Sequence, residues 1–177
     1  METKPNSKLI SLADLSLELG QPTAHDLVNM VEAFHVKHNL AVCTAKLGTY
    51  SEVLKLLWPS LIEMTQQLRQ SVARTDNEDE RRVWLIMEEF TELVEAMIHG
   101  NEARILDALT DILYCVFAVA VTHDLPIIEA FCLVHRSNMT KQTVKQGELI
   151  KGEAAKGPEY IRADIEGCLQ EYKNRKE

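Results

Sequence analysis

Apolar positions recur at three- and four-residue spacing along most of this chain, which predicts helices and almost no strand. Leu27, Met30, Val31 and Phe34 mark one helix, capped at Thr23 or Asp26 and running to about Asn39. Residues 40–50 read as a connection. Ser51 and Glu52 open a long helix that contains Pro59. A proline there removes one backbone donor, which predicts a kink or break near Trp58. The charged turn ARTDNEDE follows, with Asp76 or Asn77 capping the next helix, which ends at His99-Gly100-Asn101. Further helices are predicted from Glu102 to about Thr122 and from about Pro126 to Thr140.

The ends are more polar. Residues 1–22 form a polar extension with one short candidate helix, LADLSLEL, closed by Gly20 and Pro22. The tail after Thr140 is Gly-punctuated and predicts a small turn and a terminal helix from about Ile161. The organisation expected is therefore an extension over 1–22, one all-α domain over 23–165, and a C-terminal tail over 166–177. A chain of 177 residues can bury a sizeable core in such a domain. The fold class expected is an all-α helical bundle.

Charge and cysteines narrow the partners. A formal net charge of −8 argues against a nucleic-acid surface, which needs clustered Lys and Arg. Cys43, Cys115, Cys132 and Cys168 are far apart with no C-x-x-C, which reads as reduced, packed thiols. The first residues, METKPNSK, are polar and predict no secretory signal. Together these predict a cytoplasmic protein. The longest apolar run, Ile112 to Val121, is too short to span a bilayer.

The chemistry-bearing feature is a spaced set of carboxylates on two consecutive helices. Glu88, Glu92 and Glu95 share one helical stripe, and Glu89 lies one step round, three residues from Glu92. Asp107 and Asp111 stack four apart at the head of a strongly apolar helix. E-E-x-x-E by itself describes a solvated acidic face as readily as a site. Asp111, inside ALTDILYCV, is expected to be buried, where an unpaired carboxylate is costly. A hard divalent cation with oxygen ligands would pair these acids. A di-iron bundle is the weaker metal reading, because Glu32-x-x-His35 has no second E-x-x-H to match it.

Three pieces, in order, resemble the all-α nucleoside triphosphate pyrophosphohydrolases, the MazG-like and phosphoribosyl-ATP pyrophosphohydrolase-like superfamily. They are Glu88-Glu89-Phe90-Thr91-Glu92, then Asp107-Ala-Leu-Thr-Asp111, then HRSNMTK from His135 to Lys141 with GELIKG and GPEY behind it. The resemblance covers roughly 80–165, with a fainter echo in VEAFHVKHNL. The family's usual second motif is E-x-x-D. Here Ala108 stands three before Asp111 and the acid is Asp107, four before. On a helix both spacings face the same way.

The resemblance implies hydrolysis of a (deoxy)nucleoside triphosphate to the monophosphate and pyrophosphate, in a pool-cleaning role. It implies Mg²⁺, with Mn²⁺ as the alternative, held by Glu89, Glu92, Asp107 and Asp111. Glu88 is then either a further ligand or the base that takes a proton from water. Arg136, Asn138, Lys141 and Lys151 would face phosphates, sugar or base, and Tyr114 would stack a base. It also implies a homodimer or homotetramer with sites near subunit contacts, and no nucleic-acid or membrane partner. Two alternatives stay open: phosphoribosyl-ATP as the substrate, and a non-catalytic nucleotide-binding or helical interaction protein.

Overall fold

The computed structural model describes residues 9–11, 22–42, 52–143 and 154–177. The chain divides into two compact units, one of residues 46–124 and one joining 1–45 to 125–177. The expected short helix at 12–19, Cys43 and Lys151 lie outside the described residues.

The 46–124 unit consists of three helices: α2 (Glu52–Val72), α3 (Glu78–His99) and α4 (Glu102–Thr122). Helix α2 packs on α3, and α3 on α4. Asn77 caps α3, its side chain accepting from the backbone of Asp79 at 2.9 Å and Glu80 at 3.3 Å. Three acids in the first turn suit the positive end of the helix dipole. Helix α3 stops at Gly100, which takes φ 64°, a left-handed value that a side chain strains. Asn101 then caps α4 through the Arg104 backbone. One residue ends a helix and the next starts another, so α3 and α4 form a tight antiparallel hairpin. Ala96 and Ala108 are buried, and such small side chains let two helices approach closely.

Pro59 sits inside α2, and the helix runs through it without the expected break. A proline costs one backbone bond locally, and the packed face beyond it holds the helix. Thr65 and Thr91 hydroxyls meet at 2.8 Å across α2 and α3. The Arg69 guanidinium lies 5.9 Å from the Trp84 ring centroid.

In the other unit, α1 (Ala24–Lys37) and α6 (Ile165–Asn174) flank α5 (Ile127–Met139). Thr23, of the two predicted caps, closes a capping box with Asp26. Leu133 is fully buried between Cys132 and Cys168, against Ile10, Leu27, Met30 and Ala163. Four two-residue strands escaped sequence analysis: β1 (Leu9–Ile10), β2 (Gln142–Thr143), β3 (Ala154–Ala155) and β4 (Arg162–Ala163). β1 runs parallel to β4, and β2 antiparallel to β3. Two residues carry no period to read. The terminal helix starts at Ile165 rather than about 161, because 162–163 pair as a strand and Asp164 is the cap.

As a whole, α4 is long and apolar enough to cross a membrane by length and composition, although its uninterrupted apolar run is shorter. Its packing on α3 and its two aspartates suit a bundle helix. Gly100→Ala should lower unfolding free energy by about 1–2 kcal/mol, the usual penalty for a side chain in left-handed backbone. Leu133→Ala should cost about 2–5 kcal/mol as a buried truncation. Chemical denaturation checks both, and an unchanged midpoint in either would contradict the packing described.

Candidate active site

Two pairs pin the α3–α4 hairpin near its ends. Near the turn, Arg104 donates to Glu95 at 2.8 Å. At the open end, His123 Nε2 lies 3.1 Å from Asp79. Interpolating between these pairs sets Asp111 level with Glu89 and Asp107 level with Glu92. Glu95 is thus occupied by an arginine, which separates it from the other acids of its stripe.

The electrostatics agree with that register. Burial first, then the charges of Glu92, Asp111, Glu88 and Asp107, hold the Glu89 carboxyl above its ordinary value of 4.5. All five predicted acids therefore act within one field, centred on Glu89. Glu88 and Glu89 are half-buried, whereas Glu92, Asp107 and Asp111 are exposed. The expectation of a buried Asp111 is corrected here. Its helix is apolar, but that face of α4 is exposed among the described residues. Leu106, Leu113, Tyr114, Phe117 and Val121 are exposed on the same helix, Tyr114 at 76 % and Val121 at 82 %.

Glu88 stands one turn from Trp84, on the stripe of Glu92 and Glu95. Glu89 looks toward α4. Cys115, one turn beyond Asp111, is a half-buried thiol pushed up by burial first and then by Glu89 and Asp111, against the opposing charge of Arg82. Sequence analysis read Cys115 only as a packed thiol and passed over Arg82. Their signal was spacing: Arg82 stands two turns before Glu89 on one stripe, and Cys115 four residues after Asp111.

Arg136, Asn138 and Lys141 belong to the other unit, at the end of α5. There Lys37 donates to the Met139 carbonyl and His38 Nδ1 meets the Thr143 hydroxyl at 3.1 Å. His38 is 3 % exposed. Its ring is held toward neutrality by burial first, and by the charges of Lys37 and Lys141. The echo VEAFHVKHNL and the HRSNMTK segment therefore meet, which residue spacing could not reveal across a hundred positions.

Carboxylate oxygens that repel one another are the donor set a hard divalent cation relieves, so the chemistry of these acids fits one. Among the described residues, no three His, Cys, Asp or Glu side chains already stand in a metal-holding group. The acids share a field without forming a closed shell.

The hairpin with acids facing across it lies within a segment similar to the all-α, MazG-like nucleotide pyrophosphohydrolases. Residues 60–138 match the family model for phosphoribosyl-ATP pyrophosphohydrolase. The match spans a little under half of the chain, from within α2 to Asn138, and contains all five acids. The family consists of pyrophosphohydrolases, hydrolases of phosphoric anhydrides, and is generally dependent on divalent metal. No curated protein and no solved structure matches the chain.

The raised Glu89 value sets a pH dependence. A carboxyl with a higher pKa folded than unfolded holds more protons in the folded state between the two values. Its contribution is fully present below about 4.5 and is lost as pH rises through the raised folded value. In metal-free buffer, Glu89→Gln should melt with the native protein at the acid end and above it at pH 8. Parallel melting profiles across that range would show that the acids do not crowd Glu89.

Proposed function

We propose that the protein hydrolyses a (deoxy)nucleoside triphosphate to the monophosphate and pyrophosphate in a Mg²⁺-dependent, pool-cleaning reaction. The observation that carries this reading is the single field shared by Glu88, Glu89, Glu92, Asp107 and Asp111 across α3 and α4, inside a pyrophosphohydrolase-family segment. Glu89, Glu92, Asp107 and Asp111 would hold the metal, with Mn²⁺ able to replace Mg²⁺. A bound divalent ion would neutralise phosphate charge and acidify water.

The chain's own groups then divide the work. Glu88, half-buried and within the field of Glu89, takes the proton from the attacking water. Water adds at the α-phosphorus, the bond to the oxygen bridging to the β-phosphorus breaks, and pyrophosphate leaves. Arg136, Asn138, Lys141 and Lys151 bind phosphate, sugar or base, and the exposed Tyr114 supplies a stacking face.

The exposed stripe of α4 supports a homodimer or homotetramer. Leu106, Leu109, Leu113, Phe117 and Val121 recur at three- and four-residue spacing and are exposed among the described residues. A second copy burying that stripe would also close the exposed side of Asp111. The reading places the protein in the cytoplasm, with a small-molecule nucleotide as its partner and neither nucleic acid nor membrane.

Phosphoribosyl-ATP is the second substrate reading, favoured by the description of the matched family. The chain before residue 60 and the SNMTK segment, which extends beyond the match, support a nucleotide of the other kind.

Pyrophosphate release from a panel of ribo- and deoxynucleoside triphosphates and phosphoribosyl-ATP, with Mg²⁺, Mn²⁺ or EDTA, tests the reading. Release should need metal, and Glu89→Gln and Asp111→Asn should each lower kcat/KM by about a hundredfold or more, the scale of a lost transition-state contact. No release from any of these by a folded protein would move the account to a non-catalytic binding role. Light scattering should give a multiple of the 20.1 kDa chain mass, and a single 20.1 kDa species would contradict the assembly.

A further inference from the structure

Arg82 lies on the stripe of α3 that carries Glu89, two turns nearer the N-terminus. Its Nη2 meets Glu78 at 2.6 Å, and its side chain remains 27 % exposed. Its Nε is buried and has no hydrogen-bond partner. A buried guanidinium donor without an acceptor is costly, and an arginine satisfied only by a helix-surface glutamate leaves part of its fork unused.

The other cations of this hairpin are placed differently. Arg104 is engaged with Glu95 at the turn end. Arg81 is one step round α3 from Arg82 and lies near Asp76 and Glu78, at 3.9 Å and 3.7 Å. The register of the hairpin sets Cys115 between the levels of Arg82 and Glu89, and the charges of Arg82, Glu88, Glu89 and Asp111 all reach that thiol. A cation therefore borders the carboxylate field on the α4-facing side.

We infer that Arg82 is a phosphate-binding residue that leaves Glu78 to take the terminal phosphates of the substrate, and the pyrophosphate product, on its guanidinium fork. The inference rests on the pyrophosphohydrolase reading of the site. A polyanion brought beside five acids is repelled by them, so fixed positive charge next to the metal ligands adds to the neutralisation a bound metal would supply. A planar guanidinium supplies it with two parallel donors, a geometry a lysine cannot reproduce. Glu78 acts as a placeholder: it holds the arginine while the site is empty and competes with the phosphate for it.

Calorimetric titration of inorganic pyrophosphate into the full chain in Mg²⁺, with Arg82→Gln, Arg82→Lys and Glu78→Gln, tests this. Arg82→Gln should bind about ten- to a hundredfold more weakly, the range of a lost charge-assisted hydrogen bond. Arg82→Lys should lie between it and the native protein. Glu78→Gln should bind as tightly as the native protein or more so, because the competitor is gone. Native-like binding by Arg82→Gln would overturn the inference. Equal weakening in Glu78→Gln and Arg82→Gln would reduce the pair to a helix staple and overturn it too, as would a native protein that does not bind pyrophosphate. Turnover assays on the same samples separate the two ideas. Arg82-dependent pyrophosphate binding without hydrolysis of any nucleotide keeps the anion site and removes the enzyme reading. Hydrolysis with pyrophosphate inhibition unchanged in Arg82→Gln keeps the enzyme and removes the role of Arg82.

Discussion

Five carboxylates on one helical hairpin repel one another, and the local architecture of residues 78–123 keeps them together against that repulsion. Gly100 ends α3 in a left-handed turn, Asn101 starts α4, and Glu95–Arg104 and Asp79–His123 pin the two helices near their ends. The result is a register in which Asp111 and Asp107 stand across from Glu89 and Glu92. Neither ion pair needs to contribute much stability, since exposed pairs are worth little. Their value is positional.

That positional constraint links the site to the uncovered face of α4. The same helix carries the aspartates and a row of exposed leucines and aromatics. An apolar stripe of this length on a bundle helix calls for cover, and cover supplied beside Asp111 would lower the dielectric around the acids. Repulsion among them would then grow, and so would the affinity for a hard cation. If a second copy supplied that cover, assembly and metal binding would be coupled.

Much of the fold was legible in residue spacing. The boundaries of α4 follow from Asn101 and the apolar run, and those of α3 from Asn77 and Gly100. Of the kink or break expected at Pro59, the break does not occur, because a proline removes one bond and the packing beyond it holds the helix. The two-residue strands had no pattern to read. At the site, spacing placed the acids on their faces, and the family-matched segment 60–138 contains all of them. Spacing could not show that Asp111 is exposed, because an apolar helix predicts burial without saying what buries it. Nor could it bring His38 to Lys141, since that depends on how helices pack.

The account rests on the α3–α4 acids forming a divalent-cation site. The most direct test is a Mn²⁺ titration followed by electron paramagnetic resonance on the native protein, Glu89→Gln and Asp111→Asn. Saturable loss of the free-ion signal in the native protein, with affinity at least about tenfold weaker in both variants, is the predicted result for lost carboxylate ligands. Equal Mn²⁺ affinity in all three proteins would contradict it.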